Sequence, residues 1–123
     1  MVARSLVSVV DDDESVRESL PDLLRELGFA VQAFSSAEAY LASEFVESTH
    51  CLLIDVAMPG MTGPDLQREL TLRHQATPIV FITAHEDEAV RQRLLDRGAT
   101  ECLFKPFSEA ALLGALRAAL RGR

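Results

Sequence analysis

The stretch Cys51-Leu52-Leu53-Ile54-Asp55-Val56-Ala57-Met58-Pro59-Gly60 decides the fold. Four apolar residues stand in an unbroken row, stop at an aspartate and run into a Met-Pro-Gly turn. A strand with one wet face alternates apolar and polar residues; a row without alternation is covered on both faces, as in a parallel sheet flanked by helices. The same unit recurs on either side. Upstream, the β-branched run over residues 5–10 (Ser-Leu-Val-Ser-Val-Val) stops at Asp11-Asp12-Asp13. Downstream, Pro78 introduces Ile79-Val80-Phe81-Ile82, which stops at Thr83, and Cys102-Leu103-Phe104 stops at Lys105-Pro106. Residues 30–34 read as a fifth, weaker strand.

Helical spacing fills the intervals. Val16, Leu20, Leu23, Leu24 and Leu27 form one stripe that Gly28 ends, interrupted by Pro21, an interior proline of the kind that costs about 3 kcal/mol and kinks a helix. Ser36 is a plausible N-cap with Glu38 in the first turn behind it. Gly63-Pro64 opens a helix carrying Leu66 and Leu70, with proline at a tolerated first-turn position. Val90, Leu94 and Leu95 lie on the next helix, which stops at Gly98. Ser108 caps a last one bearing Leu112, Leu113, Leu116 and Leu120. Five strands alternating with five helices predict an α/β fold. No Gly/Ser/Pro-rich linker divides residues 1–123, which read as one domain.

With 12 Lys+Arg against 19 Asp+Glu the 123-residue chain carries a formal charge of −7, and 48% of its residues are hydrophobic. That apolar content excludes a disordered tail. The acidic balance argues against a nucleic-acid or anionic-membrane surface, which needs clustered Lys and Arg. Cys51 and Cys102 sit inside apolar runs with no CxxC pair and read as reduced core residues of a cytosolic protein. The opening Met1-Val2-Ala3-Arg4 is followed by too few residues for a signal-peptide core, and no run approaches the ~18 apolar residues of a membrane span.

The polar residues fall at one place. Asp11 to Asp13, Asp55, Thr83 and Lys105 each terminate a strand, separated by one βα unit, or by two between Asp11 and Asp55. All therefore lie at the carboxyl edge of the sheet, where open α/β folds bind ligands. Taken singly, each has an ordinary role: Asp11 to Glu14 as helix caps, Asp55 as a turn residue, Thr83 as the N-cap of a helix starting at Glu86-Asp87-Glu88, and Lys105 as a solvated lysine. Those roles do not account for all four strand ends at once. Carboxylates packed a few Å apart stay ionised together only with a cation, and hard oxygen ligands without nearby His or Cys select Mg²⁺ or Mn²⁺. Thr83 can donate to a phosphoryl oxygen and Lys105 can neutralise another. Asp55 is then a third ligand or a carboxylate nucleophile that forms an aspartyl phosphate. Of the three histidines only His85 stands near this edge.

Four segments in order, Val9-Val10-Asp11-Asp12-Asp13-Glu14, Leu53 to Gly63, Ile82-Thr83-Ala84 and Phe104-Lys105-Pro106-Phe107, resemble a response-regulator receiver domain of the CheY-like superfamily, and most of all the FixJ-type transcriptional regulators. The resemblance covers about residues 5–120. It implies a flavodoxin-like (βα)5 doubly wound parallel sheet with strand order 2-1-3-4-5. It makes Asp55 the phosphoacceptor for a sensor histidine kinase. It assigns Mg²⁺ to Asp11, Asp12, Asp55 and the backbone carbonyl of Ala57, and phosphate contacts to the backbone of Val56 and Ala84. Thr83 becomes the switch hydroxyl and Lys105 the lysine that pairs with the phosphoryl group, with a cis Lys105–Pro106 bond. The protein would be cytoplasmic, would catalyse only its own phosphorylation and dephosphorylation, and would form a phosphorylation-dependent homodimer through its fourth and fifth helices. A DNA-binding domain following Arg123 is the FixJ-type arrangement. Cys102 departs from the family, standing where a Tyr or Phe usually serves as the second switch residue, and Pro21 is unusual in the first helix. Two other readings remain open at this point: a receiver-shaped interaction module that is never phosphorylated, and a haloacid-dehalogenase-like phosphohydrolase with Asp11 as nucleophile.

Overall fold

The computed structural model describes residues 4–121; the readings placed on residues 1–3 and 122–123 lie outside the described residues. The chain runs β1 (Leu6–Val10), α1 (Glu14–Glu26), β2 (Ala30–Phe34), α2 (Ala37–Leu41), β3 (Cys51–Asp55), α3 (Gly63–Leu72), β4 (Ile79–Thr83), α4 (Glu88–Asp96), β5 (Glu101–Phe104) and α5 (Glu109–Arg121). The strands form one parallel sheet in the order β2-β1-β3-β4-β5. This is the doubly wound arrangement expected, with its change of direction between β1 and β3.

Strand alternation sorts the core into two layers. Val7, Val9, Leu53, Val80 and Ile82 pack against Leu20 and Leu24 of α1 and Leu112 and Leu116 of α5. Leu52, Ile54 and Phe81 pack with Tyr40 of α2, Leu66 and Leu70 of α3 and Leu94 of α4. β3 and β4 are buried at every position, which is why their sequences do not alternate.

Local chemistry sets the helix ends. Asp13 caps α1 by accepting the Ser15 N–H, Ser36 caps α2 through the Ala39 N–H, and the Ser108 hydroxyl accepts the Ala111 N–H. Thr62 and Asp65 form a reciprocal capping box at α3. α4 is capped by Asp87, which accepts from the Ala89 and Val90 N–H groups, so Thr83 is released from the capping role it could have had. α1 continues through Pro21 from Glu14 to Glu26; the ring is buried, and proline has no N–H to give the Arg17 carbonyl. α2 is one short turn because the Ser43 hydroxyl takes the Tyr40 carbonyl and then accepts the Phe45 N–H, pulling the chain off the helical path.

Gly63 fixes how closely α3 follows β3. Its N–H donates to the Val56 carbonyl, and a Cβ there would lie 2.6 Å from the Asp55 carbonyl oxygen and 2.8 Å from the Phe81 ring. Neither neighbour can withdraw, being strand backbone and a fully buried ring. Gly63→Ala therefore costs about 1–3 kcal/mol, read as a lower urea midpoint, and displaces the Asp55 backbone.

Candidate functional site

Asp11 follows β1, Asp55 ends β3, Thr83 ends β4 and Lys105 follows β5, so parallel register brings all four to one edge. Val10 pairs with Ile54, which sets Asp11 level with Asp55 at the point where the strand order reverses. One carboxylate oxygen from each of Asp11, Asp12 and Asp55 lies within 4.8 Å of the others. Asp11 is fully buried and Asp55 nearly so, while Asp12 is exposed.

Every polar atom of Asp11 is held. Its N–H donates to the Phe34 carbonyl at 3.1 Å, Oδ1 accepts the Asp13 N–H at 2.9 Å, Oδ2 accepts Lys105 Nζ at 3.1 Å, and its carbonyl accepts Arg17 Nη1 at 2.9 Å. Sequence reasoning missed Arg17. Its signal was an arginine close behind an acid-headed helix start, where a cation opposes the helix dipole and so needs another reason to be there.

Lys105 is the ammonium facing this cluster, and it is bound to Asp11. Asp55 receives the Ala57 N–H on Oδ1 at 3.3 Å. Burial first, and then the Asp11 charge, push the Asp55 carboxyl up to about 6 against the opposing pull of Lys105 and the Ala57 N–H. Three carboxylates against one ammonium leave negative charge in excess, and the donors are all hard oxygens, which fits a divalent cation of the Mg²⁺ kind.

Thr83 is buried; its hydroxyl accepts the His85 N–H at 3.1 Å and its carbonyl accepts the Lys105 N–H at 2.8 Å. Ala84 is exposed beside it. The expectation for Val56 needs correction: its N–H donates to the Ile82 carbonyl at 3.0 Å, within the sheet, and the amide directed at the Asp55 carboxylate is that of Ala57. The Lys105–Pro106 bond is cis. Cys102 lies on β5 with a buried thiol, pushed up to about 11 mainly by that burial, so it stays protonated at neutral pH and outside the cluster.

Residues 7–117 match the family described as the response regulator receiver domain. The chain is 41% identical over 117 residues to the response regulator protein TodT of Pseudomonas putida, covering 95% of this chain and 52% of that protein. It is 40% identical over 114 residues to the transcriptional regulatory protein FixJ of Azorhizobium caulinodans, covering 93% of this chain and 54% of that one. The solved structure of FixJ-N superposes with a TM-score of 0.88 at 34% identity, covering 99% of this chain and 98% of that one. The chain belongs to the response regulator receiver domain family. It spans about half the length of the curated relatives it matches. As a receiver domain of two-component response regulators it leaves the phosphohydrolase reading without support. Among the described residues no helix is long and apolar enough to cross a membrane.

The raised Asp55 carboxyl gives the receiver a stability signature. Its ordinary value is 3.8 and its folded value about 6, so the folded state resists ionisation. Stability is complete below the unfolded value, falls as pH rises between the two, and stays reduced above. In metal-free buffer Asp55→Asn therefore stabilises the fold by about 2 kcal/mol at pH 8, and the advantage over wild type disappears by pH 4 in urea titrations.

Proposed function

We propose that this receiver accepts a phosphoryl group on Asp55 from a phosphohistidine of a sensor kinase and changes conformation in response. The observation that carries the reading is the convergence of Asp11, Asp12 and Asp55 at the strand-order reversal, with Lys105 already in contact. An Asp55 Oδ attacks phosphorus in line, the new O–P bond forms as the N–P bond of the phosphohistidine breaks, and the departing imidazole takes a proton from solvent. At neutral pH Asp55 is mostly ionised, so it arrives as the carboxylate.

Asp11, Asp12, Asp55 and the Ala57 carbonyl would hold Mg²⁺, or Mn²⁺ in its place; the ion supplies charge neutralisation among the carboxylates and phosphoryl oxygens. Thr83 keeps its own hydroxyl proton, because its bond with His85 uses the oxygen as acceptor, and donates that proton to a phosphoryl oxygen. Lys105 exchanges Asp11 for a second oxygen. The Ala57 and Ala84 N–H groups take the remaining ones. This is positioning and electrostatics, which is what phosphoryl transfer requires of a protein. The only reactions catalysed are the domain's own phosphorylation and its hydrolysis.

An apolar groove lined by Val16, Leu20, Leu23, Pro106 and Phe107 lies beside the cleft and offers a kinase helix a place to dock. The output is a changed α4–α5 surface that binds a second copy or controls an attached domain, for which the transcriptional relatives favour DNA binding.

Incubation with acetyl phosphate and Mg²⁺ followed by intact-mass measurement is expected to show one phosphoryl group on wild type, and none on Asp55→Asn or in EDTA. An unmodified wild type, or equal modification of Asp55→Asn, refutes the proposal.

A further inference from the structure

β5 is the outer strand of the sheet, and both main-chain polar groups of Cys102 on it are held by side chains. The Cys102 carbonyl accepts Arg91 Nε of α4 at 3.3 Å, and the Cys102 N–H donates to Glu101 Oε1 at 2.9 Å. The same Glu101 oxygen accepts Arg91 Nη2 at 2.6 Å. A third edge of the guanidinium faces Glu88 within α4, Nη1 to Oε2 at 3.6 Å. One planar group thus joins α4 to the edge strand by two bonds at adjacent residues.

Solvent does not dissolve this brace as it does an ordinary surface pair. The Arg91 and Glu101 side chains are only 28% and 32% exposed, and Glu101 holds the arginine more firmly protonated than usual. The Cys102 thiol is fixed in the core beside Leu94 and Phe81 and is too short to reach beyond it. Beside the apolar packing of Cys102 with Leu94 of α4, the Arg91 bonds give β5 a directional, polar link to α4 at the main chain of Cys102. The other end of β5 runs directly into the site, where the Lys105 N–H is bonded to the Thr83 carbonyl.

We infer that Arg91 is the coupling residue of this receiver: by gripping the Glu101 carboxylate and the Cys102 carbonyl together, it makes α4 follow the end of β5 when Thr83 and Lys105 turn to the phosphoryl group. This rests on the phosphoacceptor reading of Asp55. Arg91 is bonded to Glu101, Glu88 and the Cys102 carbonyl and to none of Asp11, Asp12, Asp55, Thr83 or Lys105, so its loss separates the chemistry from the response. Lysine in its place keeps the charge but not the fork, since one ammonium on a flexible stem does not reproduce the planar pair of contacts.

The test compares wild type, Arg91→Ala, Arg91→Lys and Glu101→Gln as full chains, each with and without acetyl phosphate and Mg²⁺. Intact mass counts phosphoryl groups, and hydrogen exchange follows α4 and β5. All variants are expected to take up the phosphoryl group as wild type does. In wild type, α4 and β5 change exchange together on phosphorylation. In Arg91→Ala, α4 exchanges about tenfold faster beforehand, as loss of a charged hydrogen bond implies, and its phosphorylation-dependent change vanishes while that of β5 persists. Glu101→Gln, which keeps the shape and loses the charge, and Arg91→Lys give partial versions of the same pattern. A phosphorylated Arg91→Ala whose α4 responds as wild type does overturns the coupling alone. An unmodified wild type overturns the phosphoacceptor reading and the coupling with it.

Discussion

The ion pair between Lys105 Nζ and Asp11 Oδ2 spans the sheet from the strand after which α5 begins to the strand after which α1 begins. Asp11 has no solvent contact, and a buried carboxylate without a partner is costly enough to be neutralised or expelled. The lysine therefore holds together two segments far apart in sequence, and it does so at the place where two further carboxylates crowd in. One cation satisfies one acid. Burial, and then the remaining negative charge, keep Asp55 hard to ionise, and Lys105 pulls the other way. Under the proposed function Lys105 would turn from Asp11 to a phosphoryl oxygen, and a divalent cation among the carboxylates would neutralise the oxygen it leaves.

The scaffold tolerates this concentration of charge because everything below it is dry and regular. β3 and β4 are wholly buried, and the two apolar layers meet only through the sheet. The acids are carried on strand ends, whose positions follow from register, so little of the site depends on flexible loops. The approach of α3 to β3 at Gly63 has the same effect, holding the backbone behind Asp55 against a buried ring.

The legible and illegible parts of the sequence divide on physical lines. Largely apolar runs ending in polar residues marked the strands, and separations of one βα unit, or of two between Asp11 and Asp55, placed Asp11, Asp55, Thr83 and Lys105 on one edge. Burial pattern and chain period are one-dimensional properties, so they survive in the sequence. Main-chain hydrogen bonding does not. Val56 and Ala57 are adjacent and similar, yet one N–H enters the sheet and the other meets the Asp55 carboxylate, a difference of strand parity at the end of a ladder. Thr83 was expected to cap a helix starting at Glu86-Asp87-Glu88, whereas α4 begins at Glu88 and Asp87 itself is the cap. Arg17 and Arg91 escaped for a related reason: each reaches a carbonyl that side-chain patterning cannot see.

Those two arginines also show how the net charge of −7 is distributed to effect. The acids at the carboxyl edge are surplus by design of the cleft, while the arginines beside them bind backbone and leave that surplus intact. Arg17 fixes the Asp11 carbonyl and does not figure among the groups that shift Asp55. Arg91 neutralises Glu101 on the far strand and reaches no carboxylate of the cleft. Had either guanidinium pointed into the cluster, it would have relieved the repulsion among the carboxylates that now face Lys105 alone among the described cations shifting Asp55. Cation placement, more than cation number, is what leaves this edge of the sheet with its excess of negative charge.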